Sequence, residues 1–160
     1  MTLDDDVARL ARTPPFHLLP REAVQLVAFS CGKRRFNAGE ILFRAGEAGD
    51  GAYFLHSGAV LLSKQSPGPE GEKRVTAGAL IGESALYAPV IRHVGAQVAE
   101  DAVLIPVPRE TFRRMLAEFP AAAEKVRATL AERAHRLVEG LDAARARSLD
   151  AIVQKPRATT

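Results

Sequence analysis

The residues best equipped for chemistry are Gly82-Glu83-Ser84-Ala85-Leu86 and, shortly after them, the lone Arg92. Gly82 lets the backbone come close to a bound molecule, and the amides of a short helix opening at Ser84 would point at an anion. Arg92 can hold two phosphate oxygens with its planar fork. Glu83 is out of place beside a phosphate, and its natural partner is a pair of sugar hydroxyls. Together these residues describe a grip on a ribose joined to a phosphate. They equally allow a plainer arrangement, in which Gly82 makes a turn, Glu83 and Arg92 form an ion pair, and no ligand exists.

The rest of the chain must supply the elements that hold these residues. At 160 residues with 47% hydrophobic content it can bury one good core, so a single domain is expected. The net charge of +3, from 22 basic and 19 acidic residues, is too mild to announce nucleic acid. A lone cysteine, Cys31, excludes an intramolecular disulfide, a cysteine-only zinc site and a cysteine-held iron–sulfur cluster. The N-terminus is acidic where a signal peptide is basic, and the strongly apolar stretch Ala102 to Ile105 ends at Pro106. A soluble, cytoplasmic protein without membrane association is therefore expected.

Three patterns follow one another along the chain. Over residues 1–30, Leu3, Val7, Leu10 and then Ala23, Val24, Val27 recur at helical spacing, broken by Pro14-Pro15 and Pro20, which predicts two short helices. Over residues 31–108, short runs such as Ile41-Leu42-Phe43, Tyr53-Phe54-Leu55 and Val60-Leu61-Leu62 alternate with glycines, the punctuation of an all-β roll or barrel. The stretch Ser66 to Glu72 has nothing apolar to bury and reads as an exposed hairpin loop. Over residues 109–155, a short helix at Glu110 to Glu118 precedes Pro120, and a helix of roughly 30 residues, about 45–50 Å long, runs to about Val153. Residues 156–160 form a tail. On the long helix Leu130, Ala134, Leu137, Leu141 and Ala144 alternate spacings of four and three, as the seam of a homodimer would. Its arginines at 127, 133, 136, 145 and 147 offer either a docking face for an acidic partner or nucleic acid or, with the acids at 132, 139, 142 and 150, a solvated surface.

Three blocks carry a resemblance to the cyclic-nucleotide-binding domain family, the sensor module of catabolite-activator transcription factors, protein kinase A regulatory subunits and nucleotide-gated channels. They are Phe36 to Gly46, Asp50 to Gly58, and Gly82 to Leu86 with Arg92. The resemblance implies a mainly β fold with flanking helices: an eight-stranded β roll (double-stranded β-helix or jelly roll), N-terminal helices, a short cassette helix, and a C-terminal pair with a long last helix. It implies sharp turns of the roll at Gly39, Gly46 and Gly58. It further implies cyclic AMP or cyclic GMP as ligand, Glu83 on the ribose 2′-hydroxyl, Arg92 on the cyclic phosphate, and Gly82 with the amides of Ser84 and Ala85 completing the cradle. No other cofactor and no metal are expected.

The chain departs from the family where small residues usually follow the arginine, since it has His93 and Val94 there. Val94 adds bulk, while His93 either donates to the phosphate, strengthening binding at lower pH, or faces solvent. Where the transcription-factor branch offers hydroxyls to the base, this chain has Leu137 and Val138, which can cap a purine but not read its edge. Cyclic AMP is thus favoured only slightly over cyclic GMP, and cyclic dinucleotides stay open. The sequence stops at Thr160 without a helix-turn-helix, so the expected output is a change in the C-terminal helices, around Phe112, Met115 and Leu116, felt by a dimer or an unidentified protein partner. An enzyme is not expected, because His17, His56, His93 and His135 are scattered and no nucleophile elbow is present. The competing expectation is a degenerate member of the fold that binds haem, another small anion or nothing, and acts as an interaction module.

Overall fold

Prolines and a cap delimit the first helices. In this computed structural model, which describes residues 2–64 and 71–153 and side chains through residue 148, α1 (Leu3–Leu10) opens on a capping box. The Thr2 hydroxyl accepts from the Asp5 N–H, and the Asp5 carboxylate accepts from the Thr2 N–H. A 3₁₀ turn at Phe16–Leu18 fills the gap between the prolines. Pro20 then leads into α2 (Arg21–Cys31), which ends at Gly32. Residues 66–70 of the expected hairpin loop, the 156–160 tail and the Asp150 side chain lie outside the described residues.

The strands are β1 (Arg34–Phe36), β2 (Ile41–Phe43), β3 (Ala48–Gly49), β4 (Gly51–Lys64), β5 (Glu72–Thr76), β6 (Leu80–Ile81), β7 (Val90–Ile91) and β8 (Val94–Pro108). Two helices follow, α3 (Arg109–Glu118) and α4 (Pro120–Val153). One sheet runs β1-β8-β4-β5, with β2 also on β8 and β6 also on β4, while β3 and β7 form a separate ribbon. All pairings are antiparallel. This is the mainly β roll of eight strands, with N-terminal helices, a short helical turn at Glu83–Leu86 and a C-terminal pair, that the sequence leads one to expect.

One detail differs. Tyr53-Phe54-Leu55 and Val60-Leu61-Leu62 read as separate strands but belong to the single strand β4. Its register against β8 slips between Leu55 and Val60, around Gly58. Gly58 has φ 92°, and a side chain there would meet the Asp101 carbonyl, so the glycine makes a bulge rather than a reversal.

The segments 52–55 of β4 and 104–107 of β8 are largely buried on both faces. Leu55 and Leu104 enter the roll's interior with Phe43, Val60, Ile81 and Val98. Their neighbours Phe54 and Ile105 are equally buried but point the other way by the two-residue alternation, toward the helical layer of Val24, Val27, Phe112 and Met115. Each such apolar side chain contributes about 1.5–3 kcal/mol on burial.

A polar cluster interrupts that layer. Asp6 of α1 accepts from Lys33 at 3.0 Å and meets His56 Nε2 of β4 at 2.7 Å, with Asp6 and His56 both buried. Burial alone would raise the Asp6 pKa, but the hydrogen bonds from Lys33 and His56 prevail and hold it below its ordinary 3.8. A depressed carboxyl stabilises the fold above its unfolded pKa and loses that contribution as pH falls through the folded pKa. Asp6→Asn is expected to cost about 2–4 kcal/mol at pH 7. In urea titrations the gap to the parent should shrink at pH 3, and an equal gap at both pH values would show that the charge is irrelevant.

The chain divides into two compact units, residues 1–122 and the segment from Ala123 onward. In the second, Arg127 pairs with Glu124, Arg136 with Glu132 and His135 with Glu139, so Arg127 and Arg136 are matched within their own helix. Leu137, Val138 and Leu141 are exposed along it.

Candidate ligand-binding site

Arg92 follows the two-residue strand β7, which pairs with β3 through Val90 and Gly49. Its own backbone is held on both sides: the Arg92 N–H donates to the Glu47 carbonyl, and the Gly46 N–H donates to the Arg92 carbonyl, each at 2.8 Å. The side chain therefore runs back beneath the ribbon. It is only 7% exposed, its Nη2 donates to the Gly51 carbonyl at 2.5 Å, and its Cζ lies 4.2 Å from the centroid of the Phe43 ring. Phe43 is braced in turn by Tyr53, with ring centroids 6.1 Å apart. Nε of Arg92 has no hydrogen-bond partner among the described residues. Burial draws its pKa below the ordinary value, against the nearby Tyr53, Asp50 and Glu47. A guanidinium stays charged even so.

Two glycines make room for it. Gly82 adopts the left-handed conformation, φ 75° and ψ 36°, and a Cβ there would stand 2.3 Å from Arg92 Nη1. A Cβ on Gly49 would stand 2.8 Å from both Arg92 Cζ and Nε. The helical turn that follows Gly82 is 3₁₀ and opens at Glu83, one residue earlier than expected. Its Ala85 N–H donates to the Gly82 carbonyl at 3.2 Å, and the Ala85 side chain is buried. Glu83 accepts the Tyr87 hydroxyl at 2.5 Å. These contacts replace the direct Glu83–Arg92 ion pair that the residue types alone allowed.

A cavity of about 390 Å³ opens beside this arrangement, lined by Phe43, Ile81, Gly82, Ser84, Arg92 and Val94, among others. That volume suits a small organic ligand, and its mix of apolar walls with one buried cation suits an anionic one. His93 also lines it and is exposed, with Val94 half-buried beside it. Of the residues singled out from sequence, Gly82, Ser84, Arg92, His93 and Val94 thus share one cavity, while Glu83 and Ala85 occupy the turn behind it. Leu137 belongs to the second unit, where it is 67% exposed.

Several site residues escape sequence reasoning. Phe43, Gly49 and Gly51 form the seat of Arg92, and only the close Gly49-Asp50-Gly51 spacing hints at a close approach of the backbone. Arg109, the first residue of α3, is the least expected: its Nη1 donates to the carbonyls of Gly49, Ala85 and Ala88 at 3.0, 3.1 and 3.1 Å. Tyr87 further joins the turn to α3 by packing edge-on against Phe112, with centroids 6.0 Å apart.

A β roll that buries Arg92 at the wall of a mainly apolar cavity is an arrangement suited to a small anion. Residues 33–119 match the family model of the cyclic nucleotide-binding domain. The chain belongs to that family. Among curated proteins it is 31% identical over 125 residues to the cyclic AMP receptor protein of Thermus thermophilus, covering 76% of this chain and 57% of the relative's length. Among solved structures it is similar to a cyclic nucleotide-binding-like protein of Brucella abortus, at 34% identity and a TM-score of 0.64 over 71% of this chain and 99% of that one. It is also similar to the N-terminal domain of a transcriptional regulator of Streptomyces coelicolor, at 26% identity and a TM-score of 0.73 over 83% of this chain and 94% of that one. No helix among the described residues is long and apolar enough to cross a membrane.

Proposed function

We propose that this chain is a cyclic-mononucleotide sensor, with cyclic AMP slightly preferred over cyclic GMP. The observation that carries the proposal is the buried Arg92, held at a cavity wall with its Nε unpartnered among the described residues. A charge kept out of water at such cost is accounted for by a ligand anion. In this reading Arg92 pairs with the cyclic phosphate beside Gly82 and the backbone of Ser84, the Ala85 N–H being turned to the Gly82 carbonyl, and Glu83 takes the ribose 2′-hydroxyl. His93 and Val94 stand at the rim.

The protein acts by binding rather than by catalysis. Occupancy biases the arrangement of α3 and α4, because a ligand shifts an equilibrium only through contacts that one arrangement makes and the other lacks. The exposed Leu137 and Leu141 support pairing of α4 with a second copy, and a protein partner in the cytoplasm reads the change.

Calorimetry with cyclic AMP, cyclic GMP and 5′-AMP tests the reading. The cyclic nucleotides should bind one per chain and 5′-AMP far more weakly. Hydrogen exchange should slow over residues 112–141 when cyclic AMP is added. Absence of heat with both cyclic nucleotides overturns the proposal, and a haem absorbance band in the purified protein would favour the degenerate, non-nucleotide member of the fold instead.

A further inference from the structure

We infer that Tyr87 is a positioning residue for Glu83, and that the two together set discrimination between ribose and deoxyribose ligands. This rests on the proposed placement of a cyclic nucleotide in the cavity. Tyr87 stands four residues after Glu83 across the 3₁₀ turn, and its hydroxyl donates to Glu83 Oε1 at 2.5 Å. A short bond from a phenol to a carboxylate is charge-assisted and strongly directional. It fixes the rotation of the carboxyl group on its flexible stem. Glu83 itself is not among the cavity-lining residues, although Gly82 and Ser84 on either side of it are, so in the proposed placement the rotation of its carboxyl group would decide whether a sugar hydroxyl finds an acceptor in line.

The donor is itself held from the other side. The Tyr87 ring packs edge-on against Phe112 of α3 at 6.0 Å and 71°. Phe112 is fully buried and packs in the same manner on Phe16, at 5.9 Å and 84°. The ring thus has a fixed seat among apolar neighbours and its one polar atom is directed at the carboxylate. A carboxylate has about four acceptor sites, so the Tyr87 bond orients Glu83 without exhausting it.

Tyr87→Phe isolates this role, since it keeps the ring against Phe112 and removes only the hydroxyl. Calorimetry is run with cyclic AMP and with its 2′-deoxy analogue on the parent, Tyr87→Phe, Glu83→Ala and the double variant, each checked for thermal unfolding. Expected is a roughly 3- to 10-fold loss of cyclic AMP affinity in Tyr87→Phe with the 2′-deoxy affinity within about twofold of the parent, about what one hydrogen bond contributes. No further loss is expected when Tyr87→Phe is added to Glu83→Ala. An unchanged cyclic AMP affinity, or an equal loss for both ligands, overturns the role of Tyr87 and leaves the sensor reading standing. Failure of the parent to bind either nucleotide overturns both.

Discussion

Replacing Arg92 with methionine is expected to weaken cyclic-nucleotide binding about a hundredfold or more while leaving the thermal midpoint unchanged or higher. The two effects have opposite physical origins. Removing the cation leaves the ligand phosphate buried without its partner, a loss of about 2–5 kcal/mol. The fold, in contrast, holds Arg92 at a cost, because the side chain is buried with one hydrogen bond to Gly51 and an unpartnered Nε among the described residues. Apolar replacements of buried charges are often neutral or stabilising by about 1–4 kcal/mol, and methionine can refill the space over Phe43. Calorimetry and thermal unfolding of the same sample read both quantities. A marked fall in the midpoint with binding retained would show that Arg92 serves the fold and not a ligand.

Gly82→Ala should damage the same site through the backbone. At φ 75° a side chain costs about 1–2 kcal/mol, and urea unfolding should register a loss of that size. The added methyl would also stand 2.3 Å from Arg92 Nη1, so the guanidinium must leave its seat. At least a tenfold loss of cyclic AMP affinity is expected. Gly95→Ala is the control, since its nearest atoms would be 3.6 Å away, an ordinary contact. That variant should bind within about twofold of the parent. If the two alanine variants bind alike, the close approach at Gly82 has no bearing on the site.

The helices and the change to a β pattern were legible in the sequence because prolines, helical spacing and glycine punctuation act locally, although α2 keeps Cys31 and the first strand opens only at Arg34. The single strand β4 was not, since a bulge at Gly58 looks in sequence like a turn between two strands. The same division runs through the site. Gly82 and Arg92 can be picked out by type and spacing. The stacking of Arg92 on Phe43, and the use of Gly49 as a floor for its guanidinium, depend on the meeting of β2, β3 and β7, segments distant in sequence. Glu83 was identified as a candidate acceptor, but its bond to Tyr87 requires the tight 3₁₀ turn that composition does not specify. Arg109 gave no signal at all: an arginine opening a helix reads as solvated surface, and its three carbonyl partners lie 21 to 60 residues away.

That arginine has a thermodynamic consequence. One nitrogen at the start of α3 ties together the ribbon carrying Gly49 and both ends of the segment Ala85 to Ala88. If occupancy of the cavity displaces α3 as proposed, then the coupling free energy is reciprocal. An antibody fragment that binds and restrains α3 must then change nucleotide affinity by the same factor by which nucleotide changes the fragment's own binding. On that proposal α3 and the cavity would be two handles on one equilibrium, with Arg109 bonded to both sides of the join.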